Sequence, residues 1–477
     1  MSTQPNLVLF LPETLRADAV YEAPGAGAVT PNFDRLRSEG VTFTHAHAQM
    51  AYCTPNRCSM FTGLYPHTHG HRSIWHLLQP GERNFFQDLK EAGYRNVVFG
   101  KNDVIDESFA ADCFDEWSLR VEPEPETVGR VPSEASERLN SAMYYGLREG
   151  ECHDADWART ESALQFLDED HDEPWCLFLP LSFAHPWYVV EEPYFSMHDR
   201  DALSDPIPPA GGDPTRAYRS LYRDFAFPNG VDEADCREIK AVYHGMVSRV
   251  DAQLGQILDR LTERGLEDRT IVAAFSDHGD YAGDYGMVEK CPYGFEDPLL
   301  HVPLIFRVPG AESQEIGGLC EMNDLYATLM DLVGLRPKHH QLGTSLAPAI
   351  RGEEDLTRDA VFAEGGRLAG EEHWGIQGLA PENWYAKRRD MVAQNPESSL
   401  SRCAMIRTRD HQYTFATNDV DELFDLRSDP MAVVNVAQRP EYSEVRAQLR
   451  DRLLGWMLET SDTLPLEQGS RHWPPVD

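Results

Sequence analysis

The chain has 477 residues and a formal net charge of −36 at pH 7, because 79 Asp and Glu residues outnumber 43 Lys and Arg residues. Hydrophobic residues make up 41% of the chain and aromatic residues 10%, which is enough for packed cores and excludes wholesale disorder. The acidic excess leaves no dominant basic face and argues against nucleic acid and membrane surfaces as partners.

The N-terminal part of the chain predicts short buried strands that alternate with helices. The apolar run at residues 7–11 is typical of a strand buried on both faces. Thr30 and Pro31 predict the start of a helix, because threonine is a good N-cap and proline fits the first turn. A further helix is predicted over residues 83–92, and a strand over residues 97–99.

The middle of the chain continues this alternation. Residues 175–183 predict a longer strand, and residues 237–264 carry apolar side chains at helical spacing. Two more strands are predicted at residues 271–275 and 302–306. The alternation predicts an α/β fold in which a central, mostly parallel mixed sheet is sandwiched by helices.

The C-terminal part has a different pattern. Residues 403–407 and 411–415 predict antiparallel strands, and residues 445–458 predict a closing amphipathic helix. We therefore expect an α/β domain over residues 1–365 and a smaller α+β subdomain, with a small antiparallel sheet, over residues 366–477.

Cysteine usage and the start of the chain suggest a compartment. The nine cysteines are odd in number and scattered, which suits a reducing environment better than a disulfide framework. The first residues carry no basic segment, and the apolar run at residues 7–11 is too short for a signal peptide or a membrane span. We expect a cytoplasmic protein with no signal peptide or transmembrane segment.

Polar side chains follow four of the predicted strands, near the point where each strand ends. Glu13 follows the first strand, Lys101 follows the second, His185 follows the third, and Asp277 and His278 follow the fourth. In an open α/β sheet, ligands bind in the crevice beyond the carboxyl ends of the strands. We therefore expect these side chains to share one site, although each alone is typical of an ordinary structural or solvated residue.

A fifth polar segment contains a cysteine at a predicted helix start. Thr54 and Pro55 are good N-cap and first-turn residues, so Cys53 is expected beside the positive end of a short helix. That position favours a lowered thiol pKa and the binding of an anion. The alternative is a buried structural cysteine that precedes a helix.

The sequence Cys-Thr-Pro-Asn-Arg at residues 53–57, continued by Met-Phe-Thr-Gly-Leu-Tyr-Pro-His at residues 60–67, resembles the signature of the sulfatases within the alkaline phosphatase superfamily. The likeness spans about residues 6–460 and implies an alkaline phosphatase-like fold. Other ordered motifs similar to the family lie at residues 15–18, 93–101, 276–290, 302–304 and 422–426.

The resemblance implies that Cys53 is oxidised to formylglycine, with Pro55 and Arg57 completing the pattern that a formylglycine-generating enzyme recognises. The aldehyde hydrates to a geminal diol, and one hydroxyl attacks sulfur and expels the alcohol. The second hydroxyl then collapses to the aldehyde and ejects sulfate. Arg57 is expected to neutralise and orient the diol as a charged donor.

The resemblance also implies a metal site formed by Glu13, Asp277, His278 and the modified Cys53. Oxygen ligands favour Ca²⁺ or Mg²⁺, while the imidazole leaves Mn²⁺ open, and Ca²⁺ is the first expectation.

Three residues match positions that touch the substrate in the family. Lys101 and Lys290 match the lysines that hold the sulfate oxygens, where charge develops in the transition state. His185 matches the histidine that protonates the leaving alcohol. All three are therefore expected to contact the ester.

A histidine-rich stretch follows the predicted helix of Cys53. His67, His69, His71 and His76 are interpreted as residues of the pocket rim, with a second metal site as the alternative. His76 is also a candidate for contact with the leaving group.

The chain departs from the family pattern at two places. The first strand of family members usually ends in Asp followed by Asp or Gln, whereas Glu13 and Thr14 stand here. The family pattern Gly-Lys-x-His appears with Asp103 at the position of the histidine. Asp103 is expected either to take the proton when the diol collapses or to be an ordinary turn residue.

Three functions remain open from the sequence. The leading hypothesis is a sulfuric ester hydrolase that cleaves a small-molecule or oligosaccharide sulfate ester to alcohol and sulfate. The alternative is a phosphonate monoester or phosphodiester hydrolase with the same nucleophile. An inactive sulfate-binding homologue is the third hypothesis, since fold does not fix function.

Overall fold

The structure is a computed structural model that describes residues 4–23, 25–124, 131–150, 152–368, 371 and 401–466. Strands and helices alternate through most of this part of the chain, as the sequence predicts. Among the described helices, none combines the length and the apolar character that a membrane crossing requires.

The strands of the described part of the chain are β1 (Asn6–Pro12), β2 (Val41–His47), β3 (Arg95–Val98), β4 (Tyr144–Leu147), β5 (Trp175–Leu181), β6 (Tyr188–Val190), β7 (Gly211–Gly212), β8 (Thr270–Phe275), β9 (His301–Val302), β10 (Leu304–Arg307), β11 (Gln314–Glu321), β12 (Val361–Gly365), β13 (Cys403–Arg407), β14 (His411–Ala416), β15 (Glu422–Asp425) and β16 (Val434–Asn435).

The α-helices of the described residues are α1 (Ala17–Tyr21), α2 (Pro31–Glu39), α3 (Cys53–Thr62), α4 (Pro66–His69), α5 (Phe85–Glu91), α6 (Ala110–Cys113), α7 (Glu134–Arg138), α8 (Ala155–Leu167), α9 (Tyr218–Ala226), α10 (Glu233–Glu263), α11 (Asp297–Leu300), α12 (Asp324–Leu332), α13 (Ala347–Ile350) and α14 (Ser443–Glu459).

The central sheet has the strand order β11-β2-β10-β8-β1-β5-β3, and β9 pairs with β2 outside that path. Strand β1 runs parallel to both β5 and β8, and β3 runs parallel to β5. Strand β10 is antiparallel to its two neighbours, β2 and β8. The sheet is therefore mixed and mostly parallel, which confirms the predicted fold class.

Both faces of the sheet are buried. Alternate side chains of β1 belong to two separate apolar clusters, with Leu7, Leu9 and Leu11 in one and Val8 and Phe10 in the other. All five are completely buried, as expected for a continuous apolar strand covered by helices on both sides. The largest covering element is α10, whose first turn is capped by the carboxylate of Asp232.

The predicted strand over residues 302–306 is two strands in the structure. Pro303 separates β9, which pairs with β2, from β10, which pairs with β8 and β2. Proline has no N–H to donate to a ladder, so the pairing partner changes at that residue. The strand predicted at residues 175–183 also ends earlier, at Leu181.

A smaller sheet subdomain lies toward the C-terminus. Strands β12 to β15 form a four-stranded antiparallel sheet, and α14 packs on it through Leu449, Leu453 and Trp456. The boundary between residues 365 and 366 stays a prediction, although β12 already pairs with β13 in this sheet.

Candidate active site

Four predicted polar positions lie together beyond the carboxyl ends of parallel strands. Glu13 follows β1, Lys101 follows β3, His185 follows β5 and Asp277 follows β8, and these four strands are neighbours in the sheet. Lys101 Nζ lies 2.8 Å from Glu13 Oε2, and His185 Nε2 lies 3.8 Å from Glu13 Oε1. The strand order therefore brings these side chains to one crevice, where an α/β sheet binds its ligands.

Helix α3 places Cys53 in the same crevice. It is the first residue of this helix, whose members are all buried. Its Sγ donates a hydrogen bond to Glu13 Oε1 at 2.7 Å and lies 3.4 Å from His278 Nε2. The sulfur is thus enclosed by a carboxylate from one strand end and an imidazole from another.

The pKa of the Cys53 thiol is raised, whereas the position of Cys53 at a helix N-terminus predicts a lowered pKa. Burial raises its pKa far above the ordinary thiol value, and the neighbouring Glu13 carboxylate raises it further. The side chain is only 2% exposed, so loss of solvation and a carboxylate in contact outweigh the helix dipole. The expectation of a lowered thiol pKa is therefore wrong.

Glu13, Cys53, Asp277 and His278 form a cluster that fits a divalent metal ion. Their ligand atoms all lie within 4.8 Å of one another, and all four side chains are buried. His278 Nδ1 donates to the Gly279 carbonyl at 2.9 Å, so the lone pair of the neutral ring is at Nε2 and faces Cys53. A ring held in this way by a backbone carbonyl is characteristic of metal-binding histidines.

Cationic groups surround the Glu13 carboxylate. Burial alone would raise its pKa, but the charges of Lys101, Lys290 and Arg57 hold that pKa well below the usual range. Arg57 also donates from Nε to Asp277 Oδ2 at 2.8 Å, and it is completely buried. Two buried carboxylates are thereby kept ionised, which is the form that binds a cation.

His185 and Lys290 contact each other through His185 Nε2 and Lys290 Nζ. His185 Nδ1 donates to the carbonyl of Pro186 at 2.5 Å, which leaves the lone pair of the neutral ring at Nε2. Burial, followed by the charge of Lys290, lowers the pKa of His185 to about 3. In the absence of substrate, His185 is therefore neutral and accepts a hydrogen bond from the ammonium group.

The two departures from the family pattern occupy unusual backbone conformations. Thr14 has a φ of 59°, and its N–H donates to Asp277 Oδ1 at 3.3 Å. Asp103 has a φ of 44°, and its carboxylate lies 2.9 Å from Lys101 Nζ. Asp103 thus sits in a turn and also contacts a lysine of the crevice.

His76 lies in the loop that follows α4. Its Nδ1 hydrogen bonds to the carbonyl of Gly70 at 3.0 Å, and its own carbonyl contacts the Nδ1 of His71 at 2.7 Å. Its contact with a leaving group stays a prediction.

Three residues that hold the crevice together were missed by sequence analysis. The amide of Asn56 donates to the Asp277 carbonyl, which fastens α3 to the end of β8. Tyr188 donates to Asp280 Oδ1 at 2.5 Å and accepts from the Glu289 N–H at 2.9 Å. The available signals were the position of Asn56 inside the cysteine motif and that of Asp280 two residues after His278.

Comparison with known proteins agrees with this geometry. The family model described as Sulfatase matches residues 5–335. The multifunctional alkaline phosphatase superfamily protein PehA of Trinickia caryophylli is 24% identical, over 96% of this chain and 96% of that protein. Arylsulfatase K of Canis lupus familiaris is also 24% identical, over 94% of this chain and 82% of that protein.

Solved structures share the fold. The phosphonate monoester hydrolase of Agrobacterium radiobacter superposes with a TM-score of 0.78 at 24% identity, covering 96% of this chain and 96% of that chain. The family model covers well over half of the chain, including every strand of the central sheet. The chain therefore belongs to the sulfatase family and is a hydrolytic enzyme of the alkaline phosphatase superfamily.

Proposed function

We propose that this enzyme cleaves a small-molecule or carbohydrate sulfate ester to alcohol and sulfate, with formylglycine at position 53 as the nucleophile. The observation that carries the proposal is the position of Cys53 Sγ, 2.7 Å from Glu13 Oε1 and 3.4 Å from His278 Nε2. A nucleophilic oxygen at this position would lie within the predicted metal cluster and beside the lysines.

The state of the thiol supports its conversion. A thiol whose pKa is raised this far by burial and Glu13 is a poor nucleophile, because the thiolate is the reactive form. Conversion to an aldehyde replaces it with a hydrate whose hydroxyl does not depend on thiol acidity. Since Cys53 is 2% exposed in the fold, we expect a formylglycine-generating enzyme to act before the chain has folded.

Glu13, Asp277 and His278, with the oxygen of residue 53, are the proposed metal ligands. Two carboxylates fit Ca²⁺ or Mg²⁺, and the imidazole also suits Mn²⁺; Ca²⁺ is the first choice to test. When bound, such an ion lowers the pKa of a coordinated hydroxyl and polarises the ester. The longer side chain of Glu13 reaches the cluster, which argues against an inactive homologue.

The other proposed roles follow from the cations around Glu13. Lys101 and Lys290 hold the non-bridging oxygens of the ester, which replace Glu13 as partners of the ammonium groups. His185, which is partly exposed, takes up a proton from water at Nε2 when the ester draws the Lys290 ammonium group away from it, and it gives that proton to the leaving oxygen. Arg57 keeps its hydrogen bond to Asp277 and thereby fixes the orientation of α3, the helix that carries residue 53.

Hydrolysis of a phosphonate monoester or a phosphodiester is the second candidate. Asp103, which lies beside Lys101 where the family pattern has a histidine, keeps this candidate open. Phosphonate monoesters and phosphodiesters each carry one negative charge, as sulfate monoesters do. The structural similarity to the phosphonate monoester hydrolase of Agrobacterium radiobacter is consistent with this candidate.

Cys53→Ala should lower the kcat for an aryl sulfate by more than about a thousandfold, because it removes the nucleophile. The matched control is Cys58→Ala, five positions farther along α3, which should retain most of the activity. Release of the aryl alcohol, measured with both variants produced beside a formylglycine-generating enzyme, checks this. Equal rates for Cys53→Ala and the parent would contradict the assigned nucleophile.

Parallel assays separate the two candidate functions. We expect kcat/KM for an aryl sulfate to exceed that for the matching aryl phosphodiester and aryl phosphonate by more than about tenfold, or about 1.4 kcal/mol in transition-state free energy. The three substrates should carry the same aryl leaving group, so that the ratio reports the anionic centre. A ratio reversed by the same factor would assign the second function.

Asp277→Asn should weaken Ca²⁺ binding by at least about 100-fold, because the loss of a direct metal ligand lowers the affinity more than the loss of a residue that only orients a ligand. Calorimetric titration of the metal-stripped protein measures the effect. Asp297→Asn is the control, since Asp297 pairs with Arg407 outside the cluster. Unchanged Ca²⁺ affinity in Asp277→Asn would remove Asp277 from the ligand set.

Asp103→Asn distinguishes the two interpretations of Asp103. We expect KM for an aryl sulfate to fall about two- to fivefold with little change in kcat, because the substrate no longer competes with a partly exposed carboxylate for Lys101. Steady-state kinetics over a range of substrate concentrations give both constants. A kcat lowered more than about tenfold would instead place Asp103 in proton transfer.

A further inference from the structure

A second group of metal-ligating side chains lies in the segment that follows helix α3. His69 ends α4, His71 comes two residues later, and Glu82 lies at the end of the same loop. One ligand atom from each residue falls within 4.8 Å of the others. None of the three belongs to the cluster around Cys53.

The hydrogen bonds of His71 leave two lone pairs facing each other. Its Nδ1 lies 2.7 Å from the carbonyl of His76, so Nδ1 carries the ring proton and donates it. Nε2 of the neutral ring then has only a lone pair, and it lies 3.1 Å from Glu82 Oε1. A lone pair and a carboxylate oxygen at this distance repel each other unless a cation or a proton lies between them.

The spacing and the surroundings match those of a metal site. Two ligands of one tetrahedral zinc ion, each about 2.0–2.1 Å from the metal, are about 3.3 Å apart, close to the observed 3.1 Å between His71 and Glu82. The His76 carbonyl holds the His71 ring, and the Gln79 N–H donates to Glu82 Oε2 at 2.7 Å. Such supporting hydrogen bonds orient metal ligands in proteins.

We propose that His69, His71 and Glu82 bind a divalent transition-metal ion of the zinc type, with water as a fourth ligand. Two imidazoles and one carboxylate suit Zn²⁺, whereas Ca²⁺ and Mg²⁺ prefer sites made of oxygen atoms. The His71 side chain is largely buried, while Glu82 is about one-third exposed, so an ion would reach the site from the solvent side.

The site would fasten the loop to the helix that carries Cys53. Thr54 Oγ1 donates to the Ile74 carbonyl at 3.2 Å, and Cys58 Sγ contacts the His76 carbonyl at 3.8 Å. The same His76 carbonyl accepts from His71. A metal bound by both ends of this loop would therefore hold it against α3 and stiffen the side of the crevice next to Cys53.

Zinc content after equilibration and dialysis tests the proposal. We expect His69→Gln and Glu82→Gln, each made in a Cys53→Ala background, to hold one equivalent of zinc fewer per chain than the background protein. His153→Gln is the matched control, because His153 also pairs with a carboxylate, Glu161 at 3.0 Å, but belongs to neither metal cluster. It should keep the zinc content of the background protein.

Replacement of zinc by Co²⁺ gives a second readout that does not depend on activity. The background protein should show the visible absorption of tetrahedral Co²⁺ with nitrogen ligands, and His69→Gln should lose that component while its circular dichroism is unchanged. Equal zinc content and equal Co²⁺ spectra in His69→Gln and the background protein would overturn the proposal, leaving His71 and Glu82 as a proton-shared pair.

Discussion

The buried carboxylate of Glu13 is the constraint on which the rest of the site depends. It is completely excluded from solvent, and an unpaired charge there would be strongly unfavourable. The cations Lys101 and Lys290 reach it from another strand end and from a loop, and Arg57 reaches it from α3. The cations that keep Glu13 ionised therefore also surround the crevice in which we propose that the anionic ester binds.

Strand order explains why the meeting of these polar side chains in one crevice was predictable. The rule that ligands bind beyond the carboxyl ends of parallel strands requires only that each strand and its following polar residue be recognised, and β1, β3, β5 and β8 met this condition. The antiparallel insertion of β10 was not predictable, because the partner of a strand beside Pro303 depends on the whole sheet. The tyrosine at position 188 and its contact with Asp280 escaped notice for the same reason.

Electrostatics was the least predictable property. A local pattern placed Cys53 at a helix terminus and suggested an acidic thiol, but the pKa follows from burial and from a carboxylate forty residues away in sequence. The neutral state of His185 likewise comes from burial and from Lys290, which lies 105 residues farther along the chain. Both effects arise from tertiary packing, and both bear on the chemistry: a protonated thiol is a poor nucleophile, and a neutral imidazole has to take up a proton before it can act as an acid.

The proposed mechanism requires formylglycine at position 53 of the mature enzyme. The most direct test is mass spectrometry of the tryptic peptide of residues 38–57, from protein produced together with a formylglycine-generating enzyme. We expect loss of H₂S and gain of one oxygen at Cys53. A fully active protein whose peptide carries only the unmodified thiol would contradict it.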